Sequence, residues 1–259
     1  MIEDETPTIL FERSGVTALA KPAGLPTQAP AGIPSVESWV RRRLSAGAYV
    51  GIPHRLDRAV SGVLLVATTP RAARQLSRQF ERRVVAKGYV AIVAPDPGSA
   101  AALPPTGAEG LWADTLAKVP GEARGRVVSP TEAGAREALT LVRPIGTLPA
   151  GPAGRGERVI LALEPRTGRM HQLRIQAAAR GLPLVGDTLY GGPAFVAGAS
   201  PDDPRSLPIA LHARWIRFLD PDLGEGVDVV APLPRGWPDD VRGHVERCEG
   251  RPGDDAAPR

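Results

Sequence analysis

The stretch PHRLDRAVSGVLLVA, residues 53–67, sets one carboxylate, Asp57, among His54, Arg55 and Arg58 and directly ahead of an apolar run. A loop feeding a buried strand is where a rigid scaffold can hold a reactive side chain in a cleft, although an aspartate there can equally be a turn former or cap. In an apolar pocket an ionised aspartate is costly unless a cation lies against it. Once paired, it can attack as a nucleophile or withdraw a proton. A second such stretch is PRTGRMHQLRI, residues 165–175. Thr167, Gly168, Arg169, His171 and Gln172 form a loop entering a helix, where exposed amides and a guanidinium make an anion site. His171 and Arg174, three apart, share a helical face, and His171 can equally be a buried hydrogen-bonding residue. Within VVAKGYVAIVA, residues 84–94, Tyr89 offers a flat apolar body with a polar tip, suited to stacking on a planar ring or to ordinary core packing.

The elements that must position these groups follow from local patterning. Val16 to Ala20 is a short strand, and KPAGLPTQAPAGIP after it is too rich in Pro and Gly to be anything but loop. A helix starts at SVESWVRRRL, with Ser35 as its cap and Val36, Trp39, Val40 and Leu44 as its apolar stripe. Arg41, Arg42 and Arg43 in its last turn complement the helix dipole or meet phosphate. GVLLVAT is a buried strand, and PRAARQLSRQFERR a helix with Pro70 at its first position. In the strand that follows, alternation puts Val85, Lys87, Tyr89 and Ala91 on one face and Ala86, Gly88, Val90 and Ile92 on the other. Residues 95–110 form a linker or a loop between two halves of one fold. AREALTLVRPI, RVILALE, LHARWIRFL and GVDVVA are further strands. Gly186, Gly191 and Gly192 permit tight turns, one of them capped by Asp187. The expected organisation is a catalytic domain over 1–240 and a flexible tail over 241–259, with fraying from Pro238 onward. Strands and helices do not alternate regularly enough for a doubly wound sheet, which leaves an α+β fold: a mixed, largely antiparallel sheet with flanking helices.

Composition narrows the class. The 259 residues are 42% hydrophobic and 23% charged, ordinary globular proportions, and aromatics at only 4% leave the core to Val, Leu, Ile and Ala. Of 32 basic residues only Lys21, Lys87 and Lys118 are lysine. The planar fork of arginine suits phosphate, although abundant arginine can also follow from genomic base composition. A single cysteine, Cys248, excludes an intramolecular disulfide and a thiolate zinc cluster, and the four histidines lack ligand spacing, which argues against a metal hydrolase. The acidic start MIEDETPTIL and the lack of a long apolar segment point to a soluble cytoplasmic protein with no membrane partner.

Taken together, these blocks carry a family resemblance. HRLDRAVSGVLLVA resembles the His-Arg-Leu-Asp-x-x-Thr-Ser-Gly-Leu-Leu-Leu signature of the RluA-like pseudouridine synthases. KPAGLPTQAP is similar to the family's Lys-Pro-x-Gly loop, RRVVAKGYVAIV to its Lys-x-Tyr-x-Ala strand, and LHARWIRFLDP to its closing strand. PRTGRMHQLRIQAAARGLPLVGDTLYGG resembles its Thr-Gly-Arg-x-His-Gln-x-Arg segment followed by Gly-Asp-x-x-Tyr-Gly. The five blocks keep the family's order over residues 21–221. Val60 stands for the usual Thr, Gln176 for a common His, and PTQAP where Val-His-Pro is frequent; these departures bear on subfamily and target nucleotide.

The resemblance implies the pseudouridine synthase fold with a central catalytic cleft, and isomerisation of uridines in structured rRNA or tRNA. It implies that Asp57 is the catalytic carboxylate, that Arg174 pairs with it, and that Tyr89 stacks on uracil while its hydroxyl handles the C5 proton. The uridine must be flipped out of its stack, with Arg55 filling the vacated space or holding the displaced backbone. Lys21, His54, Arg58, Lys87, Thr167, Gly168, Arg169, His171 and Gln172 join Arg55 as RNA-binding residues, with loop capping an equal role for His54. The chemistry needs no metal, cofactor or obligatory protein partner, and no extra RNA-binding domain fits before Lys21. A catalytically silent RNA-binding module of the same fold is the alternative, and the intact Asp57, Tyr89 and Arg174 argue against it. A carboxylate glycosidase would need a second acid, for which Asp187 is the nearby candidate.

Overall fold

Burial at all seven positions of β3 (Ser61–Ala67) shows why its sequence is a continuous apolar run: neighbouring strands flank it and helices cover it. In the computed structural model, residues 6–99, 103–150, 156–194 and 207–248 are described. The other strands are β1 (Thr8–Arg13), β2 (Val16–Lys21), β4 (Ala86–Val93), β5 (Gly110–Lys118), β6 (Gly125–Val127), β7 (Arg136–Leu148), β8 (Arg158–Pro165), β9 (Leu211–Leu219) and β10 (Gly226–Val230). The helices are α1 (Val36–Arg43), α2 (Pro70–Glu81), α3 (Gln172–Ala178) and α4 (Asp239–Cys248). The strands form one sheet in the order β1-β2-β3-β9-β4-β8-β7-β5-β6, with β10 also paired to β9. Pairing is antiparallel except between β3 and β9, which run parallel at Ser61–His212 and Gly62–Ala213. This is the mixed, largely antiparallel α+β architecture that the sequence predicts.

The helix signals operate as expected. Ser35 accepts from the Ser38 amide while the Ser38 hydroxyl accepts from the Ser35 amide, a reciprocal cap for α1. Thr69 caps α2, with Pro70 in the first turn. Alternation along β4 splits the core in two: Val85, Ala91 and Val93 pack with α1 and α2 on one face of the sheet, and Val90, Ile92 and Ala94 with α4 on the other.

Three strands, β1, β5 and β6, carry no clear sequence signal because their burial is partial and their residues mixed. The C-terminal region also differs from expectation. Residues 239–248 are helical, with Val241 and Val245 buried against the sheet and His244 Nδ1 3.1 Å from the Ile145 carbonyl. Burying one valine contributes about 1.5–3 kcal/mol, so fraying this segment would forfeit two such contributions. The rest of the expected tail, 249–259, lies outside the described residues.

Candidate active site

Asp57 projects from the four-residue approach to β3 into an open cleft of about 1660 Å³. Its loop is fastened from both sides. Lys21, at the end of β2 and only 1% exposed, donates through Nζ to the carbonyls of Pro22 (2.9 Å), Leu25 (2.8 Å) and Arg58 (3.2 Å), using all three ammonium protons. Burial lowers the Lys21 pKa to about 7, with the negative charge of Asp57 opposing that shift. Thr27 Oγ1 donates to the Leu56 carbonyl at 2.9 Å and accepts from the Leu56 amide at 3.2 Å. His54 Nε2 accepts from the Leu65 amide at 2.9 Å, and its ring stacks on Phe80 at 4.7 Å between centroids. Burial drives the His54 pKa down to about 3, which keeps the ring neutral and able to accept that bond.

α3 presents a cation to the carboxylate. Arg174 Nη1 donates to Asp57 Oδ2 at 3.2 Å. Its Nε and Nη2 donate to Asp187 Oδ2 and Oδ1, each at 2.7 Å, a bidentate pair in which Asp187 is 1% exposed. Burial works against the charge of Arg174, and the two carboxylates more than offset it, so the guanidinium stays charged. The Tyr190 ring lies beneath it, 5.1 Å from the guanidinium carbon. The Tyr190 hydroxyl accepts from the Gly125 amide at 3.0 Å and is 2.9 Å from His171 Nδ1. His171 sits just ahead of α3 with φ 52°, and its Nε2 is 3.6 Å from Asp57 Oδ2. Burial lowers the His171 pKa and Asp57 pulls it back up. Arg174 and His171 thus approach one oxygen of Asp57, whose side chain keeps 33% of its surface exposed to the cleft.

Tyr89 and Lys87 line the same cleft from β4. Burial first, and then the charge of Asp57, push the Tyr89 hydroxyl far above its usual range, so it acts as a neutral phenol. Burial lowers the pKa of Lys87. Arg55, Arg58, Arg83, Arg166 and Arg169 stand around the mouth, with Met170 and Leu189 as exposed apolar side chains between them.

A family profile described as RNA pseudouridylate synthase matches residues 15–179, which include Asp57, Tyr89, His171 and Arg174. The chain belongs to that family. The dual-specificity RNA pseudouridine synthase RluA of Escherichia coli K12 is 33% identical over 228 residues, covering 86% of this chain and 92% of the relative. The ribosomal large subunit pseudouridine synthase D of Xanthomonas campestris is 33% identical over 238 residues, covering 87% of this chain and 66% of the relative. An RNA pseudouridine synthase of Synechocystis is 30% identical, and the match spans 65% of its length. The chain therefore spans about two thirds of these last two relatives. In fold it is similar to human RNA pseudouridylate synthase domain containing 1, with TM-score 0.67, 23% identity and coverage of 97% of this chain and 98% of that one.

Of the expected RNA-binding residues only Lys21 lies outside the lining of this pseudouridylate synthase cleft. Lys21 lies behind the wall with its donors spent on backbone, so it holds the Asp57 loop and does not reach a ligand. Thr167 and Gln172 are buried in the floor, bonded to each other at 2.8 Å, and the Gln172 carboxamide also meets Leu139 and Thr140. His54 anchors the loop to β3, the structural half of its two expected roles. Arg55, Arg58, Lys87, Gly168, Arg169 and His171 line the cleft, and so do His54, Thr167 and Gln172 from its wall and floor. Asp187, expected to cap a turn, makes no side-chain cap and holds Arg174 instead. Neither this role of Asp187 nor that of Tyr190 emerges from residue patterning. The one available signal is the Gly-Asp-x-x-Tyr-Gly block, in which the glycines by themselves point to turns.

Proposed function

We propose that the chain is an RNA pseudouridine synthase that isomerises uridine in structured rRNA or tRNA, working in the cytoplasm on an RNA partner and without a cofactor. The observation that carries this reading is the bridge at the cleft floor, where Arg174 joins the open-faced Asp57 to the buried Asp187. The reaction moves C1′ of the ribose from N1 to C5 of the same uracil. The N1 bond breaks, the C5 bond forms, the C5 proton leaves and N1 gains a proton, so no electrons enter or depart. Asp57 acts either as the nucleophile or as the base at C2′. Arg174 pairs with it at 3.2 Å, and its free surface faces the space a flipped base would fill. Tyr89, held neutral, stacks on uracil and donates a hydrogen bond. Arg55 at the mouth holds the displaced strand, and Lys87 and Arg169 meet phosphate.

A carboxylate glycosidase is disfavoured because Asp187, the second acid, is locked in a bidentate ion pair. The silent-module reading separates cleanly by experiment. Incubated with rRNA and tRNA transcripts, the protein forms pseudouridine, Asp57→Asn forms none, and both bind RNA comparably. Pseudouridine formation by Asp57→Asn, or its absence with the parent protein on every such transcript, contradicts the proposal.

A further inference from the structure

We propose that the outer face of α2 is a second docking track for RNA phosphate, continuous with the cleft and lying outside it. Ala72 and Leu76 point α2 into the core, and Gln79 ties it to the end of β9 through the Leu219 carbonyl and amide, both at 2.8 Å. On the opposite side Arg71, Arg74, Arg78 and Arg82 are all exposed. At 3.6 residues per turn these four fall within about 80° of arc, and at 1.5 Å per residue they extend over about 16 Å. The chain then enters the cleft wall, where Phe80, Glu81, Arg83 and Val85 are lining residues.

Arg41, Arg124, Arg126 and Arg166 each hold a glutamate, and Arg217 holds Asp228. Along α2, Arg71 meets Asp222 at 2.9 Å, whereas the side chains of Arg74, Arg78, Arg82 and Arg83 have no carboxylate or other polar partner among the described residues. Arginines such as Arg43, Arg136 and Arg143 also lack an ion-pair partner among the described residues, but only α2 sets several of them in a row on one helix face. Like charges one turn apart repel and cost helix stability, here without internal compensation. Glu81 at the margin is the one acid of the helix. A polyanion that spans several turns resolves this repulsion, and guanidinium forks suit phosphate oxygens. An RNA helix whose uridine has entered the cleft continues past the mouth, so its backbone is the anion at hand. The identity of the polymer rests on the proposed function; the track itself rests on α2.

The test uses the full chain with Arg74, Arg78 and Arg82 all changed to Gln, a good helix former that leaves the cleft residues in place. The probes are a hairpin RNA with a stem of about 20 base pairs and a uridine loop, and a uridine pentamer short enough for the cleft alone. For the hairpin, the variant binds more weakly and its log Kd against log salt slope falls by roughly 2–3. Its loss of affinity between 50 and 200 mM salt then shrinks by about tenfold or more. Pentamer binding stays unchanged, and the thermal midpoint holds or rises as the repulsion along α2 is relieved. An unchanged hairpin slope overturns the track, and so does an equal loss for both probes. Loss of binding to phosphatidylglycerol vesicles with hairpin binding intact assigns the stripe to a membrane surface and also overturns it. If the parent makes no pseudouridine while the variant still loses the hairpin slope, the proposed function fails and the track stands.

Discussion

Arg174 is asked to be fixed and available at once. Its Nε and Nη2 are committed to Asp187, which orients the planar guanidinium so that Nη1 points at Asp57. Tyr190 closes the underside and also holds His171, so Asp57 meets a preset pair of partners and need not recruit them during reaction. Neutralising the buried carboxylate should therefore reach the chemistry without touching the cleft opening. Asp187→Asn is expected to cost roughly 3 kcal/mol of stability, since it strips a buried cation of its main counter-ion. It is also expected to cut turnover by about 100-fold or more, more than it changes KM, as Nη1 loses its aim. Urea unfolding and initial rates of pseudouridine formation check both; a variant of parental stability and rate would remove Asp187 from the site.

At the scale of elements, the site depends on the parallel contact of β3 with β9, the one such contact among the described residues. β3 and β9 approach so closely at Gly62 that a Cβ there would lie 2.2 Å from the Ala213 carbonyl oxygen, and Gly62 also has φ +119°. Only glycine satisfies both conditions. Because β3 begins four residues after Asp57, this contact sets how far the carboxylate loop reaches over the sheet. Gly62→Ala is expected to destabilise the fold by about 2 kcal/mol or more and to lower activity, although Gly62 lies outside the cleft lining. Thermal unfolding and turnover measure the two effects; wild-type values for both would show that the strands can separate without consequence.

Across the whole molecule, buried imidazoles link stability to pH. Burial lowers His54 to about 3 and His212, 2% exposed with Nδ1 2.9 Å from Ser61 Oγ, to about 4. In the unfolded chain both return to about 6.5. Between about pH 6.5 and about pH 4 the unfolded state therefore binds more protons, and stability falls as pH falls. The loss approaches roughly 1.4 kcal/mol per pH unit for each imidazole. Urea midpoints at pH 7.5, 6 and 5 should decline in that order, and a flat series would contradict the buried neutral rings.

Local patterning in the sequence determined most of the elements: the buried β3, the capped α1 and α2, the alternation of β4 and the four later strands. The ordered motif blocks also placed Asp57, Tyr89 and Arg174 together, because these signals depend on neighbours a few residues apart or on whole stretches compared at once. What only the tertiary structure decided is how each polar group spends its bonds. Lys21, Thr167 and Gln172 carry the residue types of ligand-binding groups, yet their partners are backbone and floor atoms brought close by folding. Asp57 and Arg174 meet across 117 positions, and Asp187 completes the pair from a turn that resembled a simple cap. α4 likewise forms because a sheet face lies ready to bury Val241 and Val245. Burial and partner choice are set by long-range contacts, and the cost of leaving a buried charge unpaired makes those contacts decisive.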